Sequence, residues 1–169
     1  KNVKLYTEMI VANAIIKGDR DFHLKFNLLE KPLALQIGGS NPKELARATN
    51  IAENYGYDEI NLNLGCPSKK VQKNKFGACL MKEPNLVGEC INEMKNACNL
   101  PISVKTRIGF DDYENYEYLK KFISIIKKAG SKTFIIHARR AILDKLTPKQ
   151  NLSIPPLNYN FVYNIKKDF

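Results

Sequence analysis

The chain has 169 residues and 44% hydrophobic content, enough for one domain with a substantial core. No apolar run is long enough to span a bilayer, and the N-terminus shows no signal pattern, so we expect no membrane segment. We expect a cytosolic location, or an organelle if a transit peptide has been removed. Lysine and arginine outnumber aspartate and glutamate by 27 to 17, which gives a formal net charge of +10.

This positive charge has two interpretations. Lysine and arginine neutralise phosphates, so a basic protein often binds nucleic acid. The alternative is compositional, because a chain rich in lysine and asparagine throughout is typical of AT-rich genomes. Charge alone therefore leaves nucleic-acid binding open.

The cysteine pattern argues against a metal centre. The four cysteines are Cys66, Cys79, Cys90 and Cys98. None forms a C-x-x-C pair, and His23 and His137 lie at no zinc-like spacing from them. We therefore expect no metal site and no disulfide framework, but reduced thiols as in intracellular proteins.

Short apolar segments alternate with amphipathic ones along the chain, which is typical of β-α units around a parallel sheet. The predicted strands are residues 3–9, 33–38, 59–64, 102–108 and 133–138. Predicted helices cover about 41–56, 84–97 and 113–128, and a further one begins near 161. Prolines near two of the helix starts and glycines beyond two of the helix ends support these boundaries.

This order of elements predicts an α/β fold. An eight-stranded barrel takes about 250 residues, so the chain would form an incomplete (β/α)8 TIM barrel, about strands 2–6 with their helices. An open doubly wound sheet would suit the length better. However, no G-x-G-x-x-G turn follows the first strand, and polar residues recur at the strand ends.

Those polar residues predict a site at the barrel mouth. Side chains two apart share a face of a strand, and the C-terminal ends of parallel barrel strands meet at one rim. The residues placed there are Gln36, Asn63, Lys105, Arg107, His137 and Arg139. One polar strand end is usually a solvated edge, but four successive strands with the same feature favour a functional site.

Residues 61–68 (Asn-Leu-Asn-Leu-Gly-Cys-Pro-Ser) closely resemble the N-x-N-x-G-C-P signature of the tRNA-dihydrouridine synthase family. Supporting motifs follow the family's order: Ala-Leu-Gln at 34–36, Phe-Gly-Ala at 76–78, Val-Lys-Thr-Arg at 104–107 and Ile-His-Ala-Arg at 136–139. Ile-Pro-Pro-Leu at 154–157 resembles the branch that modifies D-loop positions 20 and 20a. One departure is Leu152, where that branch tends to carry an arginine three residues after Lys149.

The resemblance implies an FMN-binding TIM barrel followed by a helical tRNA-binding domain. NADPH would reduce the flavin, the flavin would pass a hydride to uracil C6, and a cysteine would protonate C5. Residues 1–169 would then be a partial barrel without the first strand, the last two βα units and the helical domain. We expect such a chain to be a monomer that retains FMN weakly.

The same resemblance assigns roles to individual residues. Cys66 would be the acid, Gln36 and Lys105 would contact the isoalloxazine ring, and His137 would lie along the ribityl-phosphate. Asn63 and Arg107 would hydrogen-bond uracil and Lys149 would contact tRNA, whereas an ion pair is the alternative for Arg139. A thiol, whose ordinary pKa is about 8.5, is largely protonated at neutral pH and can donate a proton.

Other features of the sequence fit these roles. A lysine cation near the flavin would stabilise its anionic reduced form. The Asn63 amide would offer both a donor and an acceptor to uracil. Basic loops at 69–75 and 144–149 would help to draw a uridine out of its stack.

Two other functions remain open at this point. One is an FMN barrel that acts on free pyrimidines. The other is a non-catalytic RNA-binding module that retains the barrel. The basic charge and the cysteine motif favour tRNA over a free base.

Overall fold

A computed structural model describes residues 3–169 of the chain. Over this range the backbone forms a single sheet in which every pairing is parallel, in the order β1-β3-β4-β5-β6, with β2 also paired to β3. The strands β1 to β6 are Leu5–Tyr6, Ile10–Val11, Leu33–Gly38, Glu59–Leu64, Ile102–Arg107 and Thr133–His137.

The helices follow the strands in chain order. Within residues 3–169, α1 to α7 are Ala12–Lys17, Arg20–Leu24, Pro42–Glu53, Lys69–Lys73, Pro84–Ala97, Tyr116–Lys128 and Tyr159–Asp168. Short 3-10 helices lie at Leu28–Glu30, Gly77–Lys82 and Gln150–Leu152. Asparagine caps begin α3, α6 and α7, where the side chains of Asn41, Asn115 and Asn158 accept backbone N–H groups.

Strand alternation gives the sheet one apolar and one polar face. Leu35, Ile60, Leu62, Leu64 and Val104 are fully buried and belong to one large core together with the apolar stripes of α3, α5 and α6. Most of the alternate residues of the same strands are polar, with Ala34 and Gly38 as exceptions, and they lie on the face away from these helices. The polar face of the sheet therefore forms the interior, and the helices pack against the opposite, apolar face.

This architecture confirms the predicted α/β class and the incomplete TIM barrel. The predicted strands at 33–38 and 59–64 match β3 and β4, and the next two end one residue early, at Arg107 and His137. No helix within residues 3–169 has both the length and the apolar character needed to cross a membrane.

The first predicted strand, 3–9, is wrong as a single strand. It is broken into β1 and β2, which pair with successive stretches of the same edge of β3. Between them, the Thr7 hydroxyl accepts the Gln36 backbone N–H at 3.0 Å. A side chain thus replaces a main-chain carbonyl in the ladder and breaks its regularity.

Three short helices were missed. Helices α1 and α2 lie between β2 and β3, and α4 occupies part of the predicted basic loop 69–75, capped by the Ser68 hydroxyl. Each has five or six residues, too few for an amphipathic period to be read. The helix predicted from 113 begins instead at Tyr116, because Asn115 caps it.

Truncation of a central strand residue tests this packing. Leu62→Ala removes a fully buried side chain from β4 and should lower the free energy of unfolding by about 2–5 kcal/mol. Leu28→Ala, at a position that is 77% exposed, should change it by less than about 0.5 kcal/mol. Urea unfolding of both variants measures the difference, and equal losses would contradict the assignment of this core.

Candidate active site

The strand ends bring most of the predicted site residues together. Asn63 and Lys105 are register partners across β4 and β5, and Arg107 and His137 are partners across β5 and β6. The Asn63 side-chain N–H donates to Gln36 Oε1 at 2.7 Å. Gln36, Asn63 and Arg107 are buried, whereas Lys105 and His137 are half-buried at the rim.

The rim carries concentrated positive charge. Burial, followed by the charge of the neighbouring Arg107, lowers the pKa of Lys105. Burial and then the charges of Arg107, Lys105 and Arg139 lower the pKa of His137 to about 4. Among the residues that the structure describes, no carboxylate forms an ion pair with any of the four basic side chains, Lys105, Arg107, His137 and Arg139. Such a cluster favours an anionic ligand.

Hydrogen bonds to the backbone of residues 65 and 66 fix the loop that carries Cys66. Asn63 Oδ1 accepts the N–H groups of Gly65 and Cys66 at 3.1 and 3.0 Å. Arg107 Nε donates to the Gly65 carbonyl at 2.9 Å, and the Ala78 N–H donates to the Cys66 carbonyl at 2.9 Å. The thiol therefore stands on a fixed backbone at the end of β4.

These contacts revise what Asn63 and Arg107 can offer a ligand. Both acceptor positions of Asn63 Oδ1 are used by its own loop, so the amide retains one free N–H as a donor, and the expected acceptor is not available. Arg107 Nη1 donates to the carbonyls of Arg140 and Asn151 at 3.3 and 3.1 Å. With Nε and Nη1 engaged, Arg107 keeps Nη2 for a ligand.

Asn151 is a structural residue that the sequence reasoning missed. It is fully buried, its Oδ1 accepts the Ile142 N–H at 2.8 Å, and its Nδ2 donates to the carbonyls of Ile142, Leu146 and Thr147. The Asn151 carbonyl in turn accepts from Arg107. Asn151 thus organises the loop after β6 and orients Arg107. No local sequence motif predicts this role.

The two basic segments predicted at 69–75 and 144–149 are brought together. Gln72 Nε2 donates to the carbonyls of Pro67 and Leu143 at 2.9 and 2.8 Å, which ties α4 to the loop after β6. A depression of about 370 Å³ between them is lined by Ser68, Lys69 and residues 144–148. Lys149 is exposed beside this depression and does not line it.

A larger cleft opens beside the cysteine. It has a volume of about 550 Å³, and its wall includes Met9, Gly38, Cys66, Ser68, Lys70 and Phe76. Gly38 is needed there, since a Cβ at this position would lie 2.7 Å from the Phe76 ring and 2.8 Å from the Met9 sulfur. The cleft is large enough for a nucleoside and Cys66 lines it, whereas none of the four basic rim residues does.

The other three cysteines have structural surroundings. All four thiols are free. Burial raises the pKa of Cys90 to about 12 and also raises the pKa values of Cys79 and Cys98. Cys90 and Cys98 are buried and Cys79 is half-buried. Thiols with raised pKa values are poor acids and poor nucleophiles at neutral pH.

Arg139 completes the rim, and no metal-binding cluster lies beside it among the described residues. Arg139 donates from Nη1 to the Pro155 carbonyl, and in the described part of the chain it makes no ion pair. Over residues 3–169, no cluster of histidine, cysteine and acidic side chains is arranged to hold a metal ion.

The amino-acid sequence of the chain is similar to known proteins over its whole length. The family model described as "Dihydrouridine synthase (Dus)" matches residues 1–169. The chain belongs to this family. Proteins named tRNA-dihydrouridine(20/20a) synthase are 54% identical to it over 170 residues in Vibrio parahaemolyticus and 52% identical over 169 residues in Synechocystis.

These relatives also place the chain in the 20/20a branch, in agreement with the sequence motifs. Each alignment covers 100% of the chain but only 52% and 51% of the two relatives. A protein of the same name from Shewanella oneidensis is 54% identical over 168 residues, 50% of its length. The chain therefore spans about half the length of the curated relatives it matches.

Gly77 provides a test of the cysteine loop. It has φ +74°, and a Cβ there would lie 2.5 Å from Val71 Cγ1 and 2.6 Å from the Cys66 carbonyl oxygen. Gly77→Ala should therefore lower the free energy of unfolding by about 2–4 kcal/mol, since strain and a clash combine. It should also change the rate at which iodoacetamide alkylates Cys66.

The matched control is Gly56→Ala. Gly56 has φ +85° with nothing within 4 Å of an added Cβ, so only the backbone strain remains, about 1–2 kcal/mol. Its Cys66 alkylation rate should equal that of the unaltered chain. Equal effects of the two substitutions on Cys66 would show that Gly77 does not support the loop.

His137 provides a test of the rim electrostatics. Its folded-state pKa of about 4 lies below the ordinary 6.5, so between these values the unfolded chain binds the additional proton. The free energy of unfolding should consequently fall as the pH drops from about 6.5 to about 4. In His137→Gln this part of the pH dependence should disappear.

NMR titration of the imidazole checks the value directly, with His137→Gln used to assign the resonance. A midpoint near 4 is expected, and added phosphate should raise it, because an anion offsets the field of the neighbouring cations. A midpoint near 6.5 would contradict the buried cationic cluster.

Proposed function

We propose that the protein containing this chain is a tRNA-dihydrouridine synthase that reduces the C5–C6 bond of a D-loop uridine. The observation that carries the proposal is the unpaired cationic rim beside Cys66, in a chain of the dihydrouridine synthase family. The relatives' names supply the substrate class. The 20/20a site is proposed by analogy with them, and Leu152 is the position at which this chain departs from the branch.

The rim residues fit an FMN group. Lys105 is half-buried with no carboxylate partner among the described residues, so it can stabilise negative charge on a reduced isoalloxazine. Gln36 retains one amide N–H for the ring. His137, together with the field of Arg107 and Arg139, suits the phosphate side.

FMN, reduced by NADPH, would supply the hydride for uracil C6. The Cys66 thiol donates its proton to C5, so the C5–C6 double bond becomes a single bond and the sulfur is left as a thiolate. The cationic side chains of Lys105 and Arg107, on the strand next to the Cys66 loop, stabilise that thiolate until solvent returns the proton. The fixed backbone of residues 65 and 66 keeps the thiol in place through both steps.

The surroundings of the thiol suit a flipped uridine in tRNA. The cleft of about 550 Å³ next to Cys66 has room for a nucleoside. Asn63 and Arg107 do not line this cleft, so their free N–H groups would donate to uracil carbonyls only at the side of the base that faces the rim. Lys69, Lys70 and Lys73 on α4 and Lys145 in the joined loop are exposed cations placed for backbone phosphates. Lys149 is a further exposed cation of that surface.

An anaerobic spectral titration of the natural gene product that contains residues 1–169 tests the proposal. A flavin band should be bleached by NADPH and restored by unmodified tRNA, but not by free uracil or uridine. Restoration by the free base would favour an enzyme of free pyrimidines. A protein that cannot be reconstituted with FMN, yet binds RNA, would instead support a non-catalytic module.

A further inference from the structure

Five buried polar side chains form a continuous hydrogen-bonded chain through the polar interior of the sheet. They are Glu59, Ser103, Asn61, Gln36 and Asn63, none more than 8% exposed. We call this set the interior relay. It begins at the N-terminal end of β4, crosses β5 and β3, and reaches the Cys66 loop.

Every hydrogen bond in the interior relay points the same way. Asn63 Nδ2 donates to Gln36 Oε1 at 2.7 Å, and Gln36 Nε2 donates to Asn61 Oδ1 at 2.8 Å. Asn61 Nδ2 donates to Ser103 Oγ at 2.8 Å, and the Ser103 hydroxyl donates to the Glu59 carboxylate. Aligned bonds of this kind polarise and strengthen one another.

Both ends of the interior relay fix that direction. At the top, the N–H groups of Gly65 and Cys66 can only donate, so Asn63 must turn its oxygen to them. At the bottom, the Glu59 carboxylate can only accept. Glu59 is held there by Lys4 Nζ at 2.7 Å and by the Tyr6 hydroxyl at 3.3 Å.

We propose that Glu59, Asn61 and Ser103 are positioning residues for the reaction at Cys66. They touch neither the proposed flavin nor the uracil. They fix which atoms Gln36 and Asn63 turn to the mouth and, through Asn63, hold the backbone that carries the thiol. This inference rests on the proposed function for its catalytic meaning, whereas the relay itself stands on the contacts.

Ser103→Ala cuts the interior relay next to its Glu59 end, and amide hydrogen exchange in the natural gene product measures the consequence. Exchange at Gly65 and Cys66 should accelerate about fivefold, the factor that corresponds to one net hydrogen bond. The Ala78 amide, which is bonded to the Cys66 carbonyl from a separate element, should keep its rate. Unchanged exchange at residues 65 and 66 in a folded variant would overturn the proposal.

Glu59→Gln is the second variant and keeps the volume of the buried side chain. It replaces an acceptor-only group with one that also donates, so the bottom end no longer dictates the direction, and residues 65 and 66 should again exchange faster. Thr49→Val is the control. Thr49 is fully buried and its hydroxyl has no hydrogen-bond partner within residues 3–169, so this variant should leave both amides unchanged.

The two half-reactions then separate positioning from general damage. In Ser103→Ala and Glu59→Gln, flavin reduction by NADPH should slow less than reoxidation by tRNA, which should slow at least fivefold. Equal slowing of both half-reactions would overturn the positioning role. If the unaltered protein shows no tRNA-dependent reoxidation but the amide exchange responds as expected, the proposed function fails and the relay stands.

Discussion

The pair of hydrogen bonds from the Gly65 and Cys66 amides to Asn63 Oδ1 is the interaction on which the rest of the site depends. It joins the loop that carries the thiol to the interior of the sheet. Together with the Glu59 end of the interior relay, it sets the orientation of the Asn63 and Gln36 amides. Arg107 supports the same loop from the neighbouring strand, so the reactive group and the cationic rim form one unit.

The second constraint is electrostatic. Lys105, Arg107, His137 and Arg139 lie at one rim with no paired carboxylate among the described residues, although acidic residues elsewhere do form ion pairs. Burying uncompensated charge costs stability, and burial together with the neighbouring cations lowers the pKa of His137, which disfavours a further positive charge at the rim. A bound anion would offset the repulsion among the positive charges of this rim. For this reason the rim is suited to an anionic ligand, and the phosphate of the proposed FMN would be one.

The sequence allowed the parallel sheet and most of the rim to be predicted because both follow from local periodicity. Alternation along β4 separates Asn61 and Asn63 from Ile60, Leu62 and Leu64, and the next strands repeat the pattern. Ser103 and Glu59 were not recognised as partners of these amides because their contacts depend on register between strands distant in the chain. Asn151 was missed for the same reason.

Other differences between the predictions from the sequence and the structure have a local cause. Thr7 breaks the first strand through a side-chain hydrogen bond that propensity does not describe. The expected acceptor on Asn63 was lost because the loop amides already occupy it. The assignment of residues to cofactor and substrate stays a prediction, as does the division of the protein into a partial barrel and further domains.

The proposed function requires Cys66 to act in the step in which uracil is reduced. The most direct measurement compares Cys66→Ala with Cys79→Ala in the natural gene product, following flavin reduction and reoxidation separately under anaerobic conditions. Both variants should be reduced by NADPH at the unaltered rate, and Cys66→Ala alone should lose about 10²- to 10⁴-fold in reoxidation by tRNA, the usual contribution of a general acid. If Cys66→Ala is reoxidised by tRNA as fast as Cys79→Ala, the account of this site is wrong.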